Sequence, residues 1–262
     1  MRPWHTCAAT LLAVLVSAAP PAHAQAYRLD AERDAPALLV AGSLAAGWLL
    51  GDQLAPPHCA PLCDRDRLLP VDRWAAGNWA PGFAHASNAV ELGILGGSAL
   101  ALVASEPLGH AANDAVVVAE AVLGSDALAA VATLSTRRPR PYVYGTAAPL
   151  EERMRGSAAL SFFSGHTATC VSATVATART LQRLGRTTLA GVVLGVGLGA
   201  SAFVAAGRVA SGNHFPTDVV AGAVVGAANG VFWPAIHDRP VAARLAVLDA
   251  PGGASLALTG RF

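Results

Sequence analysis

Residues 187–206 read TTLAGVVLGVGLGASAFVAA. An uncharged stretch of about 20 residues suffices for a helix that crosses a hydrocarbon layer, and it shows no strand alternation. Glycines at 191, 195 and 199 recur every fourth residue, which gives a face that another helix can approach closely. Glycines at 222, 226 and 230 repeat the pattern within Val219–Ile236. Working outward, four more apolar stretches have helical length: Pro36–Leu50, Ala89–Ala104, Ala115–Leu134 and Thr167–Leu184. Together they predict an all-α fold, a six-helix bundle with its active site at the helix ends, with Pro36 in the first turn of the first helix. Glu120 and Asp126 interrupt the third stretch, and Arg179 and Arg183 the fourth. Each such charge costs about 2.5–3.5 kcal/mol at a bilayer centre. A membrane-embedded bundle and a soluble periplasmic one both fit.

Composition narrows the function. Of 262 residues, 53% are hydrophobic and 13% charged, with a formal net charge of +1. That balance excludes intrinsic disorder. It also argues against a nucleic-acid binder, which needs a basic excess. All 18 basic residues are arginine, so lysine chemistry such as a Schiff base or a Walker-type phosphate loop is ruled out.

Residues 1–24 read as an export signal: Arg2, an apolar run from Cys7 to Ala19, and Ala22-His23-Ala24 before Gln25. The competing reading is an uncleaved membrane anchor. Either places Gln25 outside the cytoplasm, where Cys59 and Cys63, in a Pro-rich loop, are expected to form a disulfide. Cys170 reads as a small core residue. The remaining sequence divides into N-terminal helices and a Cys-containing loop (25–112), a catalytic core (113–238) and a tail (239–262). Asp52–His85 is a long polar connection. In the tail, Ala254–Leu258 alternates like a short strand, and the final Phe262 resembles outer-membrane strand endings, although one short run makes no barrel.

Three clusters hold the residues a phosphate site needs. The first is Arg137-Arg138-Pro139-Arg140-Pro141, where proline should end the third helix. In the second, Ser161 to Thr167, Ser164 is suited to an N-cap, and the amides of Gly165 and His166 would offer an anion site at a helix N-terminus. The third is Gly207-Arg208 followed by His214-Phe215-Pro216-Thr217-Asp218. Asp218, four residues after His214, is placed to hold one imidazole nitrogen while the other faces substrate. Asp72-Arg73-Trp74 and Asn78-Trp79 read as packing and solvated loop in preference to the lining of a lid. His5, His23, His58, His85, His110 and His237 show no metal-ligand spacing, so no metal site is expected.

In order and spacing the three clusters resemble the type-2 phosphatidic acid phosphatase superfamily, which includes bacterial acid phosphatases and vanadium haloperoxidases. The resemblance covers about Ala115 to Ile236. Arg140-Pro141 match the end of the first signature, and Thr133 stands at its lysine. Ser164, Gly165 and His166 match the second, with Phe163 for proline. Arg208, His214 and Asp218 match the third, with Gly207 for serine.

The resemblance implies a metal-independent, cofactor-free phosphatase acting on phosphate monoesters or diphosphates, most readily of lipids. In it His214 is the nucleophile, Asp218 orients it and His166 is the general acid and base. Arg140, Arg208, Ser164 and Gly165 would bind phosphate, and Arg137 would reach back towards the place of the missing lysine. The rival readings are a vanadium-dependent haloperoxidase and a non-catalytic phosphate-binding membrane bundle. The Arg179, Arg183 and Arg186 cluster is expected on the cytoplasmic face and the site on the periplasmic face. With Gln25 outside, that arrangement requires an even number of crossings before Arg140, so Pro36–Leu50 is expected not to cross but to pack on the bundle or lie at the interface.

Overall fold

The computed structural model describes residues 26–237, 244–250 and 253–259. The export-signal stretch, Cys7 and Phe262 lie outside them. Seven α-helices occur among the described residues: α1 (Ala31–Ala45), α2 (Pro81–Val103), α3 (Leu108–Thr136), α4 (Leu150–Arg153), α5 (Gly165–Arg183), α6 (Thr187–Ala210) and α7 (Pro216–His237). The six long ones correspond to the six apolar stretches. The single turn α4 corrects the count to seven. In the tail, β1 (Arg244–Ala250) and β2 (Gly253–Thr259) pair antiparallel, with Val247 opposite Leu256, so the all-α expectation holds for the body and not for the tail.

Helix boundaries follow local chemistry. Asp30 caps α1 by accepting from the Glu32 amide, with Glu32 and Asp34 in the first turn, where carboxylates favour the helix dipole. The cap moves the start to Ala31 and leaves Pro36 inside the helix, a correction to its expected place. Pro81 opens α2, so the polar connection ends earlier than His85. Arg137, at φ 48°, closes α3 in the left-handed conformation.

Helix α5 is the axis. It packs against α2, α3, α6 and α7, and 14 of its 19 residues are buried. Its Ala, Ser and Thr side chains are small enough for close neighbours. The α7 stripe fits there: a Cβ on Gly222 would lie 2.5 Å from the Ser164 carbonyl oxygen, and one on Gly226 2.4 Å from that of Ala168. The 191/195/199 face differs, because a Cβ at any of the three meets nothing within 4 Å. That face is open and makes no helix contact. Two other α6 glycines pack instead, Gly197 against Thr174 of α5 and Gly207 against Ser87 and Phe83 of α2.

Around this axis α1, α2, α3, α6 and α7 expose large apolar side chains, among them Leu39, Leu92, Leu128, Val196 and Val224. Five segments are long and apolar enough to cross a membrane: Ala31–Gly51, Pro81–Val103, Leu108–Tyr144, Thr187–Ala210 and Pro216–His237. The shielded α5 is not one of them. Exposed apolar surface on this scale suits lipid rather than water.

The six long helices alternate in direction. At one end the Ala26 and Tyr27 amides donate to Asp114 near the start of α3. Arg183 of α5 donates to the Ala26 carbonyl, and Arg186 to that of Ser105. The other end gathers Ala45, Arg140, Gly165, Arg208 and His214. Helix α1 therefore runs the length of the bundle. The stretch Pro36–Leu50 packs on the bundle against α3, with Ala41 buried, and it lies in a segment long and apolar enough to cross a membrane.

Candidate active site

A pocket of about 390 Å³ opens at the end of the bundle where α5 begins. Its walls bring together Arg140, Gly165, His166, Arg208 and His214 from the three sequence clusters. Each is positioned by a helix end. Ser164 caps α5, its hydroxyl accepting from the Thr167 amide at 3.4 Å. This leaves the Gly165 and His166 amides in the first turn without intrahelical acceptors. Ser164 itself is fully buried and pairs its hydroxyl with Thr167, so it shapes the anion site from behind.

His214 is buried, with Nδ1 2.7 Å from the Ser161 carbonyl oxygen. A carbonyl only accepts, so Nδ1 of the neutral ring carries the proton and Nε2 keeps its lone pair. Asp218 does not make this bond, since its Oδ2 stands 4.0 Å from Nδ1. The expected direct orientation of His214 by Asp218 is corrected. The Asp218 oxygen instead accepts from the Ser161 hydroxyl at 2.6 Å and from the Phe215 amide at 2.8 Å. The second bond is a capping contact at the start of α7. Asp218 thus acts on His214 through Ser161, whose side chain it holds and whose carbonyl holds the imidazole.

Arg140 donates to Asn213 Oδ1 at 2.8 Å, and Arg208 donates to the side-chain oxygen of Asn88. The Nε of Arg208 is buried with no hydrogen-bond partner, as befits a donor that an oxyanion would satisfy. Burial, and then the charges of Arg208 and Arg140, lower the pKa of His166 to about 3. Burial and the same two guanidiniums hold His214 well below the usual histidine range. Both imidazoles are therefore neutral at pH 7 in the free pocket.

The family model described as PAP2 superfamily matches residues 114–241. This part of the chain belongs to the PAP2 superfamily. The superfamily is one of phosphatases and phosphoesterases, so the pocket lies in a phosphatase scaffold. No curated protein and no solved structure matches the chain significantly.

The departures from the PAP2 signatures have local causes. At the lysine position, Thr133 is buried and bonds back to the Ala129 and Ala130 carbonyls of its own helix. Arg137 does not compensate for it. Its left-handed backbone ends α3, and its guanidinium donates to the Ala55 carbonyl away from the pocket. At the serine position, a Cβ on Gly207 would lie 3.2 Å from the Ser87 Cβ and 3.3 Å from the Phe83 carbonyl, so close packing of α2 favours glycine. Phe163, in place of proline, is buried against Ala129 and Ala168.

Several site residues escape the sequence signatures. Arg138, inside the first cluster, bridges Asp72 at 2.7 Å and Asp218, and its guanidinium lies 4.3 Å from the centre of the Phe215 ring. Asp72 is fully buried and also receives the Thr217 amide and hydroxyl, so it is neither lid nor solvated loop. Glu91 of α2 faces His166 Nε2 at 3.5 Å. Asp126 accepts from Thr169 at 2.6 Å. Both acids line the pocket, and no spacing links them to the signatures. The expected cysteine pair is bonded: Cys59 and Cys63 form a disulfide with Cα atoms 5.0 Å apart.

Proposed function

We propose that this protein is a metal-independent phosphatase that hydrolyses phosphate monoesters or diphosphates of lipids through a phosphohistidine. The single observation that carries the reading is the 2.7 Å contact of His214 Nδ1 with the Ser161 carbonyl. It leaves Nε2 as a free nucleophile in a pocket walled by two arginines. Substrate phosphate offsets the charges of Arg140 and Arg208, so His166 takes up a proton as substrate binds. His214 Nε2 then forms a bond to phosphorus as the bond to the leaving oxygen breaks, and that oxygen takes the proton from His166. Water then attacks the phosphohistidine and gives its proton to His166, which releases phosphate and restores both imidazoles. Arg140, Arg208 and the Gly165 amide stabilise charge on the three equatorial oxygens, the main demand in phosphoryl transfer.

A lipid substrate is supported by the apolar belt on the five outer helices, which in a membrane would bring the pocket mouth to its surface. The disulfide supports an oxidising, periplasmic face for the pocket. Three membrane-length helices stand between Ala26 and Arg140, an odd number, so Ala26 then lies on the cytoplasmic side with Arg179, Arg183 and Arg186. This topology is incompatible with an exported Gln25. Labelling of single cysteines placed at Arg67 and at Arg179 decides it: impermeant reagent added outside should reach position 67 alone, and the opposite pattern overturns the orientation.

The chemistry is tested by rapid-quench labelling in alkaline detergent. Wild type exposed to a labelled phosphate ester should trap an acid-labile, alkali-stable phosphoenzyme that His214→Ala lacks. A folded His214→Ala variant with normal turnover would sink the assignment.

A further inference from the structure

At the end of the bundle away from the pocket, Asp34 of α1, Glu120 of α3 and His237 of α7 converge, all buried. Nδ1 of His237 lies 2.8 Å from the Trp233 carbonyl. That bond uses the Nδ1 proton, so Nε2 of the neutral ring presents a lone pair. The lone pair faces Glu120 Oε2 at 3.2 Å and Asp34 Oδ1 at 3.4 Å. Neither carboxylate oxygen of Glu120 has a hydrogen-bond partner, and neither has His237 Nε2. Three electron-pair donors thus meet in a buried space, which is costly unless positive charge lies between them.

The spacing fits a metal cation. A tetrahedral ion with bonds of about 2.0–2.1 Å to nitrogen and oxygen sets neighbouring ligands roughly 3.3–3.4 Å apart. The observed 3.2 and 3.4 Å agree. A proton on Nε2 would serve one carboxylate only, whereas a cation is shared by all three groups. The surroundings also resemble an outer shell. The imidazole is oriented by a backbone carbonyl, as metal-bound histidines commonly are. Asp34 is held by Arg33 Nε on Oδ1 and by the Asp30 amide on Oδ2, and Oδ1 keeps a second lone pair. With Arg33 counted, two carboxylates leave one net negative charge for a cation to neutralise.

We propose that Asp34, Glu120 and His237 form a structural site for a zinc-type divalent cation, which fastens the first helix to α3 and α7. The sequence expectation of no metal site fails at His237 because its partners come from two helices distant in the chain. Nothing in the proposed reaction depends on this site, and its failure would leave that reaction untouched.

The test uses full-length protein without a polyhistidine tag, purified in detergent, loaded with Zn²⁺ and desalted. Wild type should retain one zinc per chain by elemental analysis. Its melting temperature should rise with Zn²⁺ and fall with chelator, because a ligand that binds only the folded state stabilises it. Glu120→Gln and His237→Gln should each weaken zinc affinity by more than the roughly 10–100-fold that loss of an outer-shell partner costs, while phosphate-ester hydrolysis by Glu120→Gln reports that the variant is folded. Co²⁺ in place of zinc should give visible absorption in wild type alone. Wild type that retains no zinc, with a melting temperature indifferent to Zn²⁺ and chelator, overturns the proposal and leaves a proton as the bridge.

Discussion

The Ser161 carbonyl oxygen sits 2.7 Å from His214 Nδ1, while Asp218 Oδ2 stands 4.0 Å away. A backbone acceptor therefore fixes the imidazole tautomer. Where an aspartate itself performs that task, as in serine proteases, its change to asparagine costs about 10⁴ in kcat. Here Asp218→Asn should lower kcat by roughly 10–100-fold, well short of that direct-contact figure. The same change deprives Arg138 of one buried partner and should lower stability by about 3 kcal/mol. Steady-state kinetics beside denaturant melts separate the two effects. A loss of kcat as large as that of His214→Ala would show that Asp218 reaches the imidazole during turnover.

Proton linkage gives a second test. The free pocket holds His166 at a pKa of about 3, through burial and then Arg208 and Arg140. A bound phosphate or vanadate offsets the two guanidiniums and raises that value, so binding near pH 6 should take up protons. Calorimetry in buffers of different ionisation enthalpy measures the uptake, and His166→Asn should abolish most of it. Folding follows from the same shift. Between the ordinary histidine pKa of about 6.5 and the lowered folded one, the unfolded chain binds more protons at His166 and His214. Their contribution to stability is present above pH 6.5 and is lost as pH falls below it.

The pocket has two arginines suited to anion binding, and Arg137 is not one of them. Arg140→Ala and Arg208→Ala should each cost about 10²–10³ in kcat/KM, the usual loss for a transition-state donor. Arg137→Ala should stay within roughly threefold of wild type, because its guanidinium serves the Ala55 carbonyl. A large rise in KM for Arg137→Ala would return it to the pocket.

The two glycine stripes predict opposite responses to one methyl group. Gly226→Ala drives a Cβ to 2.4 Å from the Ala168 carbonyl, and overpacking of this kind costs about 1–3 kcal/mol. Gly195→Ala meets open space and should leave the melting temperature of detergent-solubilised protein unchanged or slightly raised, since alanine is the better helix former.

Much of this molecule was legible in order along the chain. Apolar length marked the six long helices, and the spacing of Arg140, His166, Arg208 and His214 brought the pocket residues together. What escaped are contacts that local pattern does not encode. Asp72 reads as one acid in a polar loop, yet it is the buried partner of Arg138 and Thr217. Ser161 lay inside a recognised cluster, but its carbonyl carries no side-chain signature. Glu91 and Asp126 sit in long apolar stretches, where an acid reads only as a cost of burial. The glycine spacings at 191/195/199 and 222/226/230 look alike in sequence, and only the position of α5 separates them.

The pocket is assembled from two unequal stretches of the gene. The pocket residues proposed to handle phosphate, Arg140, Gly165, His166, Arg208 and His214, all fall within residues 114–241. Ala45 and Glu91, which complete the wall, and Asn88, which steadies Arg208, lie upstream. In the proposed reaction, the groups that break the bond and the wall that would meet the leaving group are thus separately mutable. Exchange of the upstream helices for those of another protein offers a route to new substrate preference with the hydrolytic core intact.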